Sequence, residues 1–155
     1  MNLDELTSEQ LMEHALAEKL GRASRLWRSV ADRCLHPLGL THPRWTALWK
    51  LARLEGDVTQ KRLADALEIE LPSLMRTLGQ LEEQGYIVRY SSQHDKRARI
   101  VSMTDQGAEL LDEIAQRILT VRKALLKNVD ERQLQEFEAV LAQISSNALV
   151  LDKEL

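Results

Sequence analysis

Cysteine is almost missing from this 155-residue chain: Cys34 stands alone, so no disulfide can form within one molecule and nothing suggests a secreted, disulfide-stapled scaffold. A reducing cytoplasm is the simplest compartment. Aromatic side chains are scarce, at 4% of residues, against an ordinary hydrophobic content of 44%. Leu, Ile, Val and Ala must therefore supply most of the buried area, which favours a mostly α protein. No run of about 18 apolar residues is present, and the acidic start (Asp4, Glu5, Glu9, Glu13) lacks the basic-then-apolar order of a signal peptide. Membrane insertion is not expected. Also missing are internal repeats, low-complexity stretches, a phosphate-cradling Gly-rich loop, a nucleophile elbow and a convincing acid-base pair, so neither an enzyme nor a cofactor is expected. His14, His36, His42 and His94 are scattered without paired metal-ligand spacing, and no metal site is expected.

The formal net charge of -3 argues at first against a nucleic-acid partner. Its distribution argues otherwise. Residues 1–20 carry -4 and residues 130–155 another -4, which leaves +5 on the middle of the chain. Acidic ends flanking a basic centre suit a DNA binder whose ends form a separate layer, although ordinary solvated helix faces produce similar patterns.

Thr7 and Gln10 have the spacing of a capping box, and the segment they open has no Pro or Gly until Gly21. Leu16, Leu20, Ala23, Trp27, Val30 and Cys34 then form a continuous apolar stripe ending near Pro37 and Gly39. Thr41 restarts a helix carrying Trp45, Leu48, Trp49 and Leu51, which Gly56 stops. Thr59 can cap a short helix from Gln60 to about Leu67, and a second begins with Pro72 in its first turn, running to Gln84 before Gly85. Tyr86 to Tyr90 and Ile100-Val101 read as strands joined by a hairpin from Ser91 to Arg97. Helical periodicity returns from Thr104 to Asn128 with Leu111, Ile114, Ile118, Val121 and Leu125. Asp130 with Gln133 resembles a second capping box, and Leu134, Phe137, Leu141, Ile144, Ala148 and Leu151 follow as a heptad-like stripe.

The expected fold is therefore mostly α with a small β-hairpin wing: a winged helix-turn-helix domain plus a helical layer formed by the N- and C-terminal helices. Leu63, Leu67, Leu74, Leu78, Leu81 and Ile87 supply the small core of the middle. The stripes of the end helices need partners of their own, and a two-fold homodimer would bury them. A monomer with a closed three-helix bundle is the plainer alternative.

Helix, helix, strand, wing, strand is an order suited to a duplex. The second helix would enter the major groove by its N-terminal half, presenting Pro72, Ser73, Arg76 and Thr77. Arg76 is the strongest reading candidate, because a guanidinium donates two hydrogen bonds to a guanine edge; an ion pair with Glu82 or Glu83 is the competing use. The hairpin tip holds Lys96, Arg97 and Arg99 beside Asp95, and an Arg97 or Lys96 inserted into a narrow minor groove would read its width. Asp95 would then hold Arg97 extended. A solvated tip without partner is the alternative, as is a winged-helix protein-interaction module, which would have no use for Arg76 and Arg97 on one face.

The runs Leu81-Glu82-Glu83-Gln84-Gly85-Tyr86-Ile87, Asp95-Lys96-Arg97 and Met103-Thr104-Asp105-Gln106-Gly107 resemble the MarR family of regulators, whose wing and following helix read D-x-R and then L-T-x-x-G. Arg25-Leu26-Trp27-Arg28, Pro37-Leu38-Gly39-Leu40-Thr41 and Ile69-Glu70-Leu71-Pro72-Ser73 extend the likeness toward the SlyA-type branch, over about residues 16–150. Met103 stands where Leu is usual, and Leu71 where relatives often have a polar residue. The resemblance implies one MarR-type domain over 1–155, with dimerisation helices at 7–36 and 108–155 and a DNA-binding lobe at 41–104. It further implies a cytoplasmic, sequence-specific double-stranded DNA-binding transcriptional regulator, a homodimer on palindromic operators, commonly a repressor. By motif, Ser73, Arg76 and Thr77 take the major groove, Arg97 the minor groove and Asp95 the orienting role.

Similar regulators often bind small aromatic carboxylates between helices. Arg22 and Arg25 on the first helix, with Trp45 and Trp49 on the second, offer charge and rings for such an effector, although two Trp at helical spacing also suit a core. Trp49 departs from the histidine of the branch. Cys34 sits on an apolar stripe at the end of the first helix, away from the early-helix place of peroxide-sensing thiols in relatives, and a redox role is not expected.

Overall fold

The computed structural model describes residues 7–155, leaving aside the side chains of residues 11–14. Asp4 and Glu5 of the acidic start, and the side chains of Glu13 and His14, therefore lie outside the description. The chain divides into two compact units, one reaching to Val121 and one from Arg122 to Leu155.

In the first unit, α1 (Ser8–Leu35) begins at a full capping box: Gln10 N–H donates to Thr7 Oγ1 at 3.3 Å and Thr7 N–H to Gln10 Oε1 at 2.9 Å. Two orphan donors of the first turn are thereby satisfied. A 3-10 turn at His36–Leu38 closes on Gly39, whose φ of 72° suits a residue without Cβ. The expected stripe on α1 is largely exposed, with Leu16 and Trp27 open to water, and the face turned into the unit carries Ala31 and Leu35 instead. Next, α2 (His42–Arg53) buries Trp45, Ala47, Leu48 and Leu51.

Thr59 caps α3 (Gln60–Leu67) by accepting from Arg62 N–H at 3.1 Å, as its sequence position suggests. Arg62 turns back to donate to the Glu55 and Asp57 carbonyls at 2.6 and 3.2 Å, fixing the loop that enters α3. Glu68, at φ 54°, ends that helix, and α4 (Leu71–Glu83) starts with Pro72 in its first turn. Leu74, Leu78 and Leu81 line the inward face of α4 and pack with Leu35, Leu48, Leu63, Ile87 and Ile114 in the deepest part of the core. Truncating any of these to Ala is expected to cost about 2–5 kcal/mol.

Gly85, at φ 81°, turns the chain into β2 (Ile87–Ser91), which pairs antiparallel with β3 (Arg99–Met103), Arg89 opposite Val101. A third strand joins them: β1 (Val58–Thr59) pairs with β3 on its other edge, Val58 opposite Val101. At the exit of the sheet Thr104 ties the wing root to α5 (Asp105–Leu125). Its N–H donates to the Tyr86 carbonyl at 3.0 Å and its hydroxyl to the Gly85 carbonyl at 2.6 Å, while Gly107 N–H donates to that hydroxyl at 3.1 Å. The T-x-x-G spacing is thus a helix cap and a crossing point at once.

The second unit contains the end of α5 and α6 (Glu131–Glu154). The Asp130–Gln133 capping box forms as expected, Gln133 N–H donating to Asp130 Oδ1 at 2.8 Å and Asp130 N–H to Gln133 Oε1 at 3.0 Å. Every residue of α6 keeps solvent contact; Phe137 is 53% exposed, and Ile144 and Leu151 of the same stripe are open as well.

Candidate nucleic-acid interface

The outward side of α4 follows from its inward side. With Leu74, Leu78 and Leu81 committed to the core, helical geometry turns Pro72, Met75 and Arg76 to water, with Ser73 on the shoulder. The left-handed Glu68 and the bond from Ile69 N–H to the Ala64 carbonyl, 3.1 Å, bring α3 close behind α4 and leave its first turn clear. Thr77 differs from its neighbours: it is 7% exposed and its hydroxyl donates to the Ser73 carbonyl at 3.3 Å, so it supports the helix from within.

The wing tip is held by its own short bonds. Ser92 Oγ accepts from the N–H groups of His94 and Asp95 at 3.2 and 3.4 Å, and Ala98 closes the turn onto the Ser92 and Asp95 main chain. Asp95 Oδ1 accepts from Arg97 N–H at 2.9 Å. The acid therefore shapes the turn through the main chain of Arg97 and not through its guanidinium, because a two-residue offset in a tight turn brings the carboxylate to the amide first. Lys96, Arg97 and Arg99 all project to solvent.

Cations in this unit fall into two groups. Arg62 and Arg89 are spent on the protein itself, whereas among the described residues no ion pair holds Arg76, Lys96, Arg97 or Arg99. Among the described residues Arg76 pairs with neither Glu82 nor Glu83, and Glu82 has another partner. Arg89 reaches back from β2 to it: Nη2 donates to Oε1 at 3.2 Å, Nε to Oε2 at 3.4 Å, and the Arg89 main-chain N–H to Oε2 at 3.1 Å. These bonds from Arg89 hold the Glu82 carboxyl below its ordinary value. One side-chain pair thus fixes the wing root against the end of α4. Reading along the chain missed Arg89; the available signal was its alternation with Ile87, which puts it on the helix-facing side of β2.

The four residues expected to receive an effector have different surroundings. Arg22 and Arg25 are exposed on α1, Trp49 packs against the core, and Trp45 is buried with its indole N–H donating to Asp32 Oδ1 at 2.8 Å. His42 Nδ1 donates to the same oxygen at 2.7 Å, and Arg28 lies 3.7 Å from Oδ2. Burial raises the Asp32 carboxyl, but the Trp45, His42 and Arg28 contacts outweigh it and leave it below the usual value. This cluster locks the start of α2 onto α1. Beside it opens a cleft of about 650 Å³ lined by Arg28, His42, Thr46, Ser73 and Arg76.

Comparison with known proteins places this geometry. A family model described as the MarR family matches residues 38–98. The crystal structure of transcriptional regulator PA3341 is 34% identical, with a TM-score of 0.80, over 86% of this chain and 97% of that one. A mutant MarR from E. coli complexed with operator DNA has 23% identity and a TM-score of 0.75, covering 84% of this chain and 93% of that one. CouR from Rhodococcus jostii, bound to p-coumaroyl-CoA, has 19% identity and a TM-score of 0.75, covering 83% and 90%.

Proposed function

This chain belongs to the MarR family of transcriptional regulators, and from that premise we propose that it binds palindromic operators as a homodimer of the SlyA-like branch, repressing transcription from the DNA it covers. The observation that carries the reading is the sorting of cations: among the described residues Arg76 on α4 and Lys96, Arg97 and Arg99 on the wing make no ion pair, while Arg62 and Arg89 are bound internally. Unpaired cations on a helix face and an adjacent hairpin complement a phosphate backbone and its two grooves. Arg76 reads a guanine edge, Pro72 and Ser73 lie against the same groove, and Arg97 with Lys96 enters the minor groove. Asp95 presets the wing turn, and Thr77 buttresses the helix behind Ser73.

The dimer is supported by apolar residues that one chain leaves wet, Leu16 and Trp27 on α1 and Phe137, Ile144 and Leu151 on α6. In this reading segments 7–36 and 108–155 join the two copies, and 41–104 is the DNA-binding lobe. Small aromatic carboxylates modulate it; the ligand in the CouR structure and the cleft beside Arg28 and Arg76 favour an anionic effector. A site in that cleft would take the place of the expected Arg22, Arg25, Trp45, Trp49 set.

The test is selection of bound fragments from random DNA followed by gel shifts. A palindrome with half-sites about one helical turn apart is expected. Arg97→Ala should weaken binding to every sequence and flatten the salt dependence, while Arg76→Ala also relaxes sequence preference. If neither variant changes binding, the assigned roles fall. Tryptophan fluorescence unchanged by millimolar aromatic carboxylates would remove the effector.

A further inference from the structure

Leu71, Met75 and Gly79 follow one another at four-residue intervals on α4, so they form a single row along the helix. The row borders Arg76 on the outward side, with Leu71 36% and Met75 44% exposed. Two sizeable apolar side chains are therefore held in water on the very helix that carries the reading arginine. Gly79 adds an independent observation. A mid-helix glycine disfavours the helix relative to alanine, yet a Cβ built at Gly79 meets no atom within 4 Å. Nothing inside the protein requires the missing side chain. Something approaching from outside would.

Building on the DNA-binding reading, we infer that Leu71, Met75 and Gly79 form an apolar strip that reads thymine C5-methyl groups in the major groove beside the base met by Arg76. Thymine alone among the four bases offers a methyl group there, and apolar side chains are its natural contact. Cytosine has no methyl at C5 and so gives the strip nothing to bury, which turns the contact into discrimination as well as affinity. Gly79 lets the helix axis approach the floor of the groove, so that Met75 reaches the methyl without forcing the wing off the duplex. The operator half-site therefore carries thymine next to the guanine recognised by Arg76.

Replacing each thymine of the selected half-site in turn by deoxyuridine removes only the methyl group. At one or two positions the wild-type protein should lose about fourfold in affinity per methyl, the transfer value of one buried carbon. Met75→Ala should bind the thymine and uracil duplexes alike at one of those positions while keeping its dependence on Arg76. Gly79→Ala should bind about tenfold more weakly, as an extra methyl in a close-packed contact does, although it leaves the fold no less stable. Equal affinity of the wild type for all uracil duplexes overturns the strip, as does an unchanged thymine-to-uracil ratio in Met75→Ala, and an unweakened Gly79→Ala removes the close approach. In those cases Arg76-dependent binding survives; a chain that retains no duplex at all overturns the DNA reading and the strip together.

Discussion

Gly107→Ala should destabilise the protein even though alanine is the better helix former by about 1 kcal/mol. A Cβ on Gly107 would collide with the Tyr86 carbonyl oxygen and stand 2.8 Å from Met103 Cγ. Met103 can swing aside. The carbonyl cannot, because it accepts from Thr104 N–H at 3.0 Å while the neighbouring Gly85 carbonyl accepts from the Thr104 hydroxyl. Relief requires the first turn of α5 to back away by roughly 1 Å, which takes both Thr104 bonds out of useful range. Two hydrogen bonds at about 1 kcal/mol each, with overpacking of about 1–3 kcal/mol, outweigh the gain in propensity and leave a net loss of roughly 3 kcal/mol. For a chain of this length the melting temperature should fall by roughly 10 °C. Thermal unfolding followed by circular dichroism, at one fixed protein concentration because association shifts the midpoint, measures it. Gly79→Ala is the internal control: with open space around the new methyl it should melt about 2–4 °C higher. A Gly107→Ala variant as stable as wild type would refute the steric argument for the T-x-x-G motif.

Glu82→Gln should loosen the wing root: amide exchange at Arg89 rises and operator affinity falls several-fold, on about 1 kcal/mol for a half-exposed charged contact; unchanged exchange would show that the pair does not hold the wing. Asp32 titrates lower in the fold than its reference value of 3.8, so its contribution is complete above about pH 4 and disappears as pH falls through the lower folded value. The gap in melting temperature between wild type and Asp32→Asn should accordingly close in acid, and a constant gap would sink that assignment. Charging the α6 stripe with Phe137→Asp and Ile144→Asp should give monomers by sedimentation with helix content retained; persistent dimers would place the interface elsewhere.

Elements set by local rules were legible along the chain. Thr7, Thr59 and Asp130 cap where their neighbours say they should, Pro72 and Gly85 bracket α4, and the alternation after Gly85 marks the hairpin. What escaped depends on residues far apart in sequence. β1 has two residues, too few for any periodicity, and exists only because β3 offers an edge some forty positions later. Trp45 looks like a ligand platform until Asp32 on α1 takes its N–H. Which residues of α1 face the core of one chain, Ala31 and Leu35, also depended on the fold. Within the candidate site, Arg76, Lys96 and Arg97 are proposed from charge and position alone, whereas the Glu82–Arg89 pair needed the fold to meet. Thr77 is buried for a simpler reason: a hydroxyl one position beyond an exposed arginine already lies on the far side of the helix.

The Glu82–Arg89 bracket makes α4 and the wing two jaws of a caliper set to a single opening. Such an instrument does not adjust to what it measures. On the proposed DNA-binding reading, a duplex whose grooves are spaced differently would have to bend or twist to be gripped, so stiffness of the DNA, even at base pairs that no side chain reaches, would become part of what is selected.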